Sequence, residues 1–205
     1  MLAHSSVYAT LKCGISIGYP PYQYQKNGEA RGIDAQLGER LSKLSGHKIV
    51  IKAMPWKTAL AKLYYTEELD CVLGMEHSQM REERFSLSRP LYKRKSTLFV
   101  LDKNKADSFK DLRGKIIIGD KSSALDIELR KANIQGLRIR DSVSKEESYK
   151  LLMQEKVFGV ILPYAVGKFL SKENSSGIKD ALYAQKDTPV SIAVKKGNTE
   201  LLKLI

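Results

Sequence analysis

Arginine, glutamate, histidine and serine side chains crowd into one short stretch, Gly74-Met75-Glu76-His77-Ser78-Gln79-Met80-Arg81, which runs on through Arg84 and Arg89 to Pro90. A guanidinium grips a planar carboxylate through two parallel hydrogen bonds, which makes Arg81 an anchor for an acid. Glu76 and His77 beside it have the chemistry of a general acid and base. The competing reading turns Arg81, Arg84 and Arg89 into a solvated basic face, as most charge runs are. A second polar cluster follows at Asp120-Lys121-Ser122-Ser123. Serines at a helix N-terminus offer hydroxyls and backbone N–H groups to an anion. The same pair could do no more than cap the helix.

Each cluster needs a strand to deliver it. The apolar run Cys71-Val72-Leu73 predicts a buried strand over 70–74, with about one helical turn after it until Pro90 stops the run. Ahead of it, 11–17 predicts a strand that ends at Gly18-Tyr19-Pro20-Pro21-Tyr22, where two prolines remove backbone donors. Asn27-Gly28 marks a tight turn. A helix is expected from an Asp34 N-cap to a Gly46 stop, with Leu37, Leu41 and Leu44 on its inner face. A strand at 48–52 precedes a helix opened by Pro55-Trp56 and packed through Ala59, Leu60 and Leu63. Trp56 either joins that core or walls a pocket. Strand and helix thus alternate, which argues for a parallel sheet with crossover helices.

A second cycle begins with a strand at 96–101, a helical turn at 108–112 and a strand at 115–119. The helix at 124–131 follows the serine pair. Next come a strand at 137–140, a helix at 145–156 with a Ser144/Glu147 capping box, and a buried strand at 157–162. Pro163 starts a helix carrying Val166, Phe169 and Leu170, 174–177 is loop, and 190–194 is a strand. Gly197-Asn198 caps a final helix at 199–205. The fold class is α/β, and two such halves would place strand ends and helix N-termini where small ligands bind.

With 35 Lys and Arg against 23 Asp and Glu the chain carries +12. The lysines are scattered and no helix-turn-helix, zinc spacing or RNA-binding aromatic motif accompanies them, so nucleic acid is not an expected partner. No apolar run approaches the roughly 20 residues of a membrane span. Residues 1–10 lack the pattern of a leader, so an exported protein would have lost its signal or had it left out. Cys13 and Cys71 lie in predicted strands with no metal-ligand spacing, and buried thiols are expected rather than a bridge between adjacent parallel strands. No metal or cofactor is expected.

The ordered set Gly18-Tyr19-Pro20-Pro21-Tyr22, Gly32-Ile33-Asp34, Pro55-Trp56, Asp70 through Met75, Ser78-x-x-Arg81 and Ser88-x-Pro90-Leu91-Tyr92 resembles the bacterial extracellular solute-binding proteins of the polar amino acid family. The likeness continues through Leu112-Arg113-Gly114-Lys115, the Ser122-Ser123 turn and Ile192 to Asn198. It implies a two-lobed, Venus-flytrap architecture of the type 2 periplasmic-binding-protein class, each lobe a mostly parallel sheet flanked by helices. Lobe 1 would comprise 1–93 plus 190–205 and lobe 2 would comprise 94–189, with crossings near 93–95 and 187–189 and a ligand cleft between them. By the same resemblance Tyr19 covers the ligand, Trp56 forms a second wall and Ser16 adds a polar contact. Gly74 and Glu76 face the ligand's amino group. Arg81 takes the carboxylate together with Ser123 and the backbone around Ser122 and Ala124.

One departure concerns the ligand. Where α-amino acid binders of the family carry a second-lobe aspartate for the ammonium, this chain has Pro163, followed by Tyr164. A buried ammonium without an acceptor is costly. Either Glu76 takes that role, or the ligand is not a standard α-amino acid. A second departure is the stop at Ile205, which suggests a domain cut from something longer, such as a membrane-bound sensor. The expected function is extracytoplasmic binding of a small carboxylate-bearing solute for ABC-type uptake. The alternative is the input domain of a membrane-bound kinase or cyclase. Either a transporter or the chain's own signalling domain would then be the partner. A periplasmic dehydratase resembling those that act on cyclic amino-acid precursors, with Glu76 and His77 as acid and base, and a transcription-regulator effector domain are weaker readings.

Overall fold

Residues 10–142, 144–173 and 177–205 are described by the computed structural model of the chain. The loop expected at 174–177 therefore falls, apart from Gly177, outside the described residues, as does nearly all of the stretch at 1–10 that lacks a leader pattern. Two units divide the chain: Met1–Leu91 with Val190–Ile205, and Tyr92–Pro189.

The first unit begins with β1 (Leu11–Ser16), β2 (Gly18–Tyr19), β3 (Gln23–Lys26) and β4 (Glu29–Arg31). The last three form a small antiparallel sheet in the order β2-β3-β4. Asn27 and Gly28, with φ of 53° and 80°, make the tight turn that their sequence predicts. Then come α1 (Ile33–Ser45), β5 (Ile49–Met54), α2 (Trp56–Ala61) continued by a π-helical turn at Lys62–Thr66, β6 (Cys71–Glu76), α3 (Gln79–Arg84) and β7 (Phe85–Leu87). Two expectations for α1 fail. Gly32, not Asp34, is its N-cap, and Asp34 lies inside the first turn, buried. Leu44 is 73 % exposed, because α1 meets the sheet through Ala35 and Gly38 at its N-terminal half. Gly46 does end the helix, in the left-handed conformation at φ 74°.

The second unit holds β8 (Tyr92–Arg94), β9 (Ser96–Leu101), a 3-10 turn at Phe109–Leu112, β10 (Ile116–Gly119), α4 (Ala124–Lys131), β11 (Arg138–Asp141), α5 (Lys145–Met153), β12 (Gly159–Pro163), α6 (Tyr164–Glu173) and β13 (Ile178–Tyr183). Its sheet runs β11-β10-β12-β9-β13. The first three strands are parallel, and β9 is antiparallel to both β12 and β13. Leu98, Val100, Ile117 and Ile161 of the sheet pack with Leu112, Leu125 and Leu129. The chain ends with β14 (Thr188–Lys195) and α7 (Thr199–Leu204), whose N-cap Asn198 accepts the Leu201 N–H at 3.3 Å.

From Val190 onward β14 completes the first unit's sheet, in the order β5-β1-β6-β14-β7. Here β1 is parallel to β5 and β6, while β14 is antiparallel to β6 and β7. One face buries Leu11, Cys13, Ile15, Cys71 and Leu73 with Ile192, Val194 and Leu201. The other buries Val72, Met75, Phe85 and Ala193 with Ala59 and Leu63 of the α2 segment. Cys13 and Cys71 do not remain thiols: they form a disulfide with a Cα–Cα distance of 4.5 Å. They are direct Cα partners on neighbouring strands and project to the same face, so register brings together two residues that spacing alone leaves apart. No helix among the described residues is long and apolar enough to cross a membrane.

Candidate functional site

The end of β6 is bent by one residue. Ser191 pairs with Met75 and Ala193 with Val72, so Leu73 and Gly74 together oppose Ile192 alone. Gly74 takes φ 73°, the left-handed geometry of a glycine bulge. Strict alternation would put Met75 on the face of Cys71 and Leu73. The bulge returns it to the face of Val72, where it is fully buried. Glu76 is thereby turned the other way, and its Oε1 accepts the Tyr19 hydroxyl at 3.2 Å.

Tyr19 reaches Glu76 because β2 is pinned. Its partner across the small sheet is Gln23, which is 2 % exposed. Gln23 Oε1 accepts the Ser16 N–H at 2.7 Å, and its Nε2 donates to the Leu73 carbonyl at 2.7 Å and to Asp34 Oδ2 at 2.6 Å. One amide thus ties the ends of β1 and β6 to the start of α1. Sequence reading passed over Gln23, since a glutamine between two tyrosines carries no periodic signal. The Ser16 hydroxyl accepts the Gly18 N–H at 3.4 Å. Trp56, half-buried at the start of α2, packs beside Met54 and Leu60 against the core that holds Met75.

Arg81 sits on α3, half-buried, and its Nη1 donates to the Glu76 carbonyl at 2.8 Å. Among the described residues it has no carboxylate partner, so the rest of its fork remains available to an anion. Arg84 and Arg89 are exposed. The first unit therefore brings Tyr19, Gly74, Glu76 and Arg81 together at one strand end, with Ser16 joined to it through Gln23.

Both ring nitrogens of His77 have protein partners. Its Nδ1 lies 3.0 Å from Glu82 Oε1 and its Nε2 2.7 Å from Ser191 Oγ. Carboxylate, imidazole and hydroxyl in series can activate a serine. However, Ser191 is 0 % exposed, so a substrate cannot reach it.

In the second unit the strand end of β10 leads to Asp120, Ser122 and Ser123. Ser122 takes φ 64°, and its N–H donates to Asp126 Oδ2 at 2.8 Å, while the Ser123 N–H donates to the Asp120 carbonyl at 3.1 Å. Two backbone donors expected for an anion are thus engaged within the loop. Asp126, held also by Arg130 Nε at 2.8 Å, ties the turn to the first turn of α4, whose N-cap Ser123 makes no side-chain capping bond. Among the described residues Ser123 Oγ is buried with no hydrogen-bond partner, and such an orphan calls for an explanation. Asp120 pairs with Lys145, which is buried at the start of α5.

Pro163 is the last residue of β12 rather than the first of a helix, and Tyr164 opens α6. The Tyr164 ring lies 6.4 Å from those of Phe99 and Tyr183. The hydrogen bond from Tyr183 to Asp180 pushes the Tyr183 hydroxyl up to about 12, and the same bond holds Asp180 below its ordinary range. Among the described residues no group of three or more His, Cys, Asp or Glu side chains could hold a metal ion.

Comparison with known proteins follows from this geometry. The arginine-binding extracellular protein ArtP of Bacillus subtilis (strain 168) is 27 % identical over 105 residues, which is 51 % of this chain and 41 % of that protein. The match thus spans less than half the length of that relative. An ancestral arginine-binding protein bound to arginine superposes with a TM-score of 0.83 at 27 % identity, covering 95 % of this chain and 88 % of the other. A histidine kinase sensor domain with similarity to periplasmic binding proteins superposes with a TM-score of 0.85 at 18 % identity, covering 96 % and 87 %. The fold is that of the two-lobed periplasmic binding proteins. The description "bacterial extracellular solute-binding proteins, family 3" matches residues 11–205, nearly the whole chain, and the chain belongs to that family.

Proposed function

We propose that this chain binds a small carboxylate-bearing solute, an amino acid or a derivative, outside the cytoplasm and passes it to an ABC-type importer. Residues 1–93 with 190–205 and residues 94–189 act as the two lobes, each contributing groups to one ligand. Arg81 takes the carboxylate, joined by the hydroxyls of Ser122 and Ser123. Tyr19 and Trp56 flank the ligand body, while Ser16 and Gly74 shape the strand ends. Glu76 takes the cationic group, because Pro163 offers no acceptor side chain. The observation that carries this reading is the guanidinium held at the end of β6, Arg81 donating to the Glu76 backbone carbonyl at 2.8 Å, on the strand end whose Glu76 carboxylate accepts the Tyr19 hydroxyl. Acceptor and donor so placed match the two charged ends of an amino acid. Arginine is the first ligand to try, since relatives that bind it share this fold. The protein binds without turning its ligand over.

Calorimetric titration with arginine, then with other amino acids and small acids, tests the proposal. Arg81→Ala should weaken binding by roughly thirtyfold or more, the worth of charge-assisted bonds to a carboxylate. Absence of thermal stabilisation by every compound, or full binding by the Arg81→Ala protein, would sink it. Turnover of a prephenate- or arogenate-like compound would favour an enzyme instead.

A second reading rests on the 0.85 TM-score with a histidine kinase sensor domain. On that reading the same ligand chemistry feeds a membrane-anchored signalling domain. Ligand-dependent phosphorylation by the intact gene product would separate it from transport.

A further inference from the structure

The helix that carries Arg81 has little to hold it. With six residues, α3 is far too short to be stable alone. None of its residues is buried, and its N-cap Ser78 makes no side-chain capping bond. A segment with so little burial is held by whatever side-chain tethers reach it. Three are present. Arg81 donates to the Glu76 carbonyl, Lys196 Nζ donates to the Glu82 carbonyl, and His77 spans from Glu82 to Ser191.

The His77 tether differs from the others in what it joins. Glu82 is on α3, and Ser191 is fully buried in β14, beside Met75 across the ladder. One imidazole therefore links a helix that buries none of its residues to a buried position in the sheet. A carboxylate oxygen accepts, so Nδ1 donates to Glu82 and Nε2 is left to pair with the Ser191 hydroxyl. The serine at the far end is not a nucleophile but a fixed post.

We infer that His77 is a positioning residue for the ligand site: it braces α3 against Ser191 of β14 and so sets Arg81 and Glu76, without contacting the ligand itself. The inference rests on the assignment of Arg81 as a ligand contact, but the brace can be examined apart from any ligand.

Four variants of the full chain test it: His77→Ala, His77→Gln, His77→Asn and Ser191→Ala. A glutamine amide reaches about as far as Nε2 and keeps the Ser191 bond. An asparagine amide reaches only as far as Nδ1 and keeps the Glu82 bond. Hydrogen exchange of the ligand-free proteins is measured over residues 76–84. Faster exchange is expected in all four proteins, since each loses at least one end of the brace. With arginine as the probe, affinity should fall about fivefold in each of them, the worth of one hydrogen bond. In an Arg81→Ala background the His77→Ala change should cost no further affinity, whereas a general loss of stability would weaken binding in both backgrounds. Unchanged exchange over 76–84 in the His77→Ala protein overturns the inference, whatever arginine does. Altered exchange with an Arg81→Ala protein that still binds fully would keep the brace and remove the proposed ligand role.

Discussion

Breaking the Cys13–Cys71 bridge should weaken the first unit far more than any surface change. The two cysteines are 58 residues apart in sequence. Closing a loop of that length in the unfolded chain removes entropy worth about 4 kcal/mol. Both residues are 0 % exposed and sit in the core with Leu11, Ile15 and Leu73. A reductant therefore reaches the sulfurs only when the unit opens, and reduction should be slow without denaturant. Trp56 is the chain's one tryptophan and lies in this unit, so its fluorescence reports the right transition. Urea unfolding would be followed at Trp56 for the oxidised protein and for protein reduced in urea and refolded in reductant. With a slope of about 2 kcal/mol per molar urea, the midpoint should drop by roughly 2 M. Coincident midpoints would refute the entropic reasoning. Two titratable thiols in denatured, unreduced protein would refute the pairing itself. The bridge also fits an extracellular family, since such bonds persist where glutathione does not reduce them.

Two further outcomes follow from the geometry. Gly74→Ala forces a side chain into φ 73°, which should cost about 1–2 kcal/mol in the same Trp56 unfolding assay, and a stable variant would deny the bulge. In the second unit, absorbance titration should show the Tyr183 phenol ionising near 12, and Asp180→Asn should bring it back toward the ordinary range. The sign is that of a raised acid: the contribution of this bond to stability is complete below the ordinary tyrosine value of about 10 and is lost as pH rises through about 12. Tyr183 is 43 % exposed, so the effect on global stability is small.

Much of the fold was legible because its cues are local. The helix at Ala124–Lys131 lies where the pattern places it, between the serine pair and the loop before β11. The Asn27-Gly28 turn, the Gly46 stop and the Asn198 cap act through backbone angles that a dipeptide can dictate. What escaped were short or edge elements. Both β7 and β13 lie at sheet edges, and their Phe85-Ser86-Leu87 and Ile178-to-Tyr183 segments alternate too weakly to announce a strand. The disulfide escaped for another reason. Whether Cys13 meets Cys71 depends on strand register, which is set by pairing across the sheet.

The same distinction governs the site. Residue types named Glu76, Arg81 and Ser123, but their geometry depends on contacts spanning dozens of residues, as the Tyr19–Glu76 bond does across 57 positions. The bulge at Gly74 is the link between core and site. Without it, Met75 would leave the face of Ala59, Leu63 and Val72, and the Glu76 carboxylate would turn toward that apolar layer. Burying an unpaired carboxylate among aliphatic side chains costs several kcal/mol, and a methionine withdrawn from the core loses about 2 kcal/mol more. The hydrophobic core thus rejects the regular strand and selects the bulged one. Packing on one face of β6 is what aims Glu76 on the other, so the acceptor at the candidate site is fixed by Met75, a residue that touches no ligand.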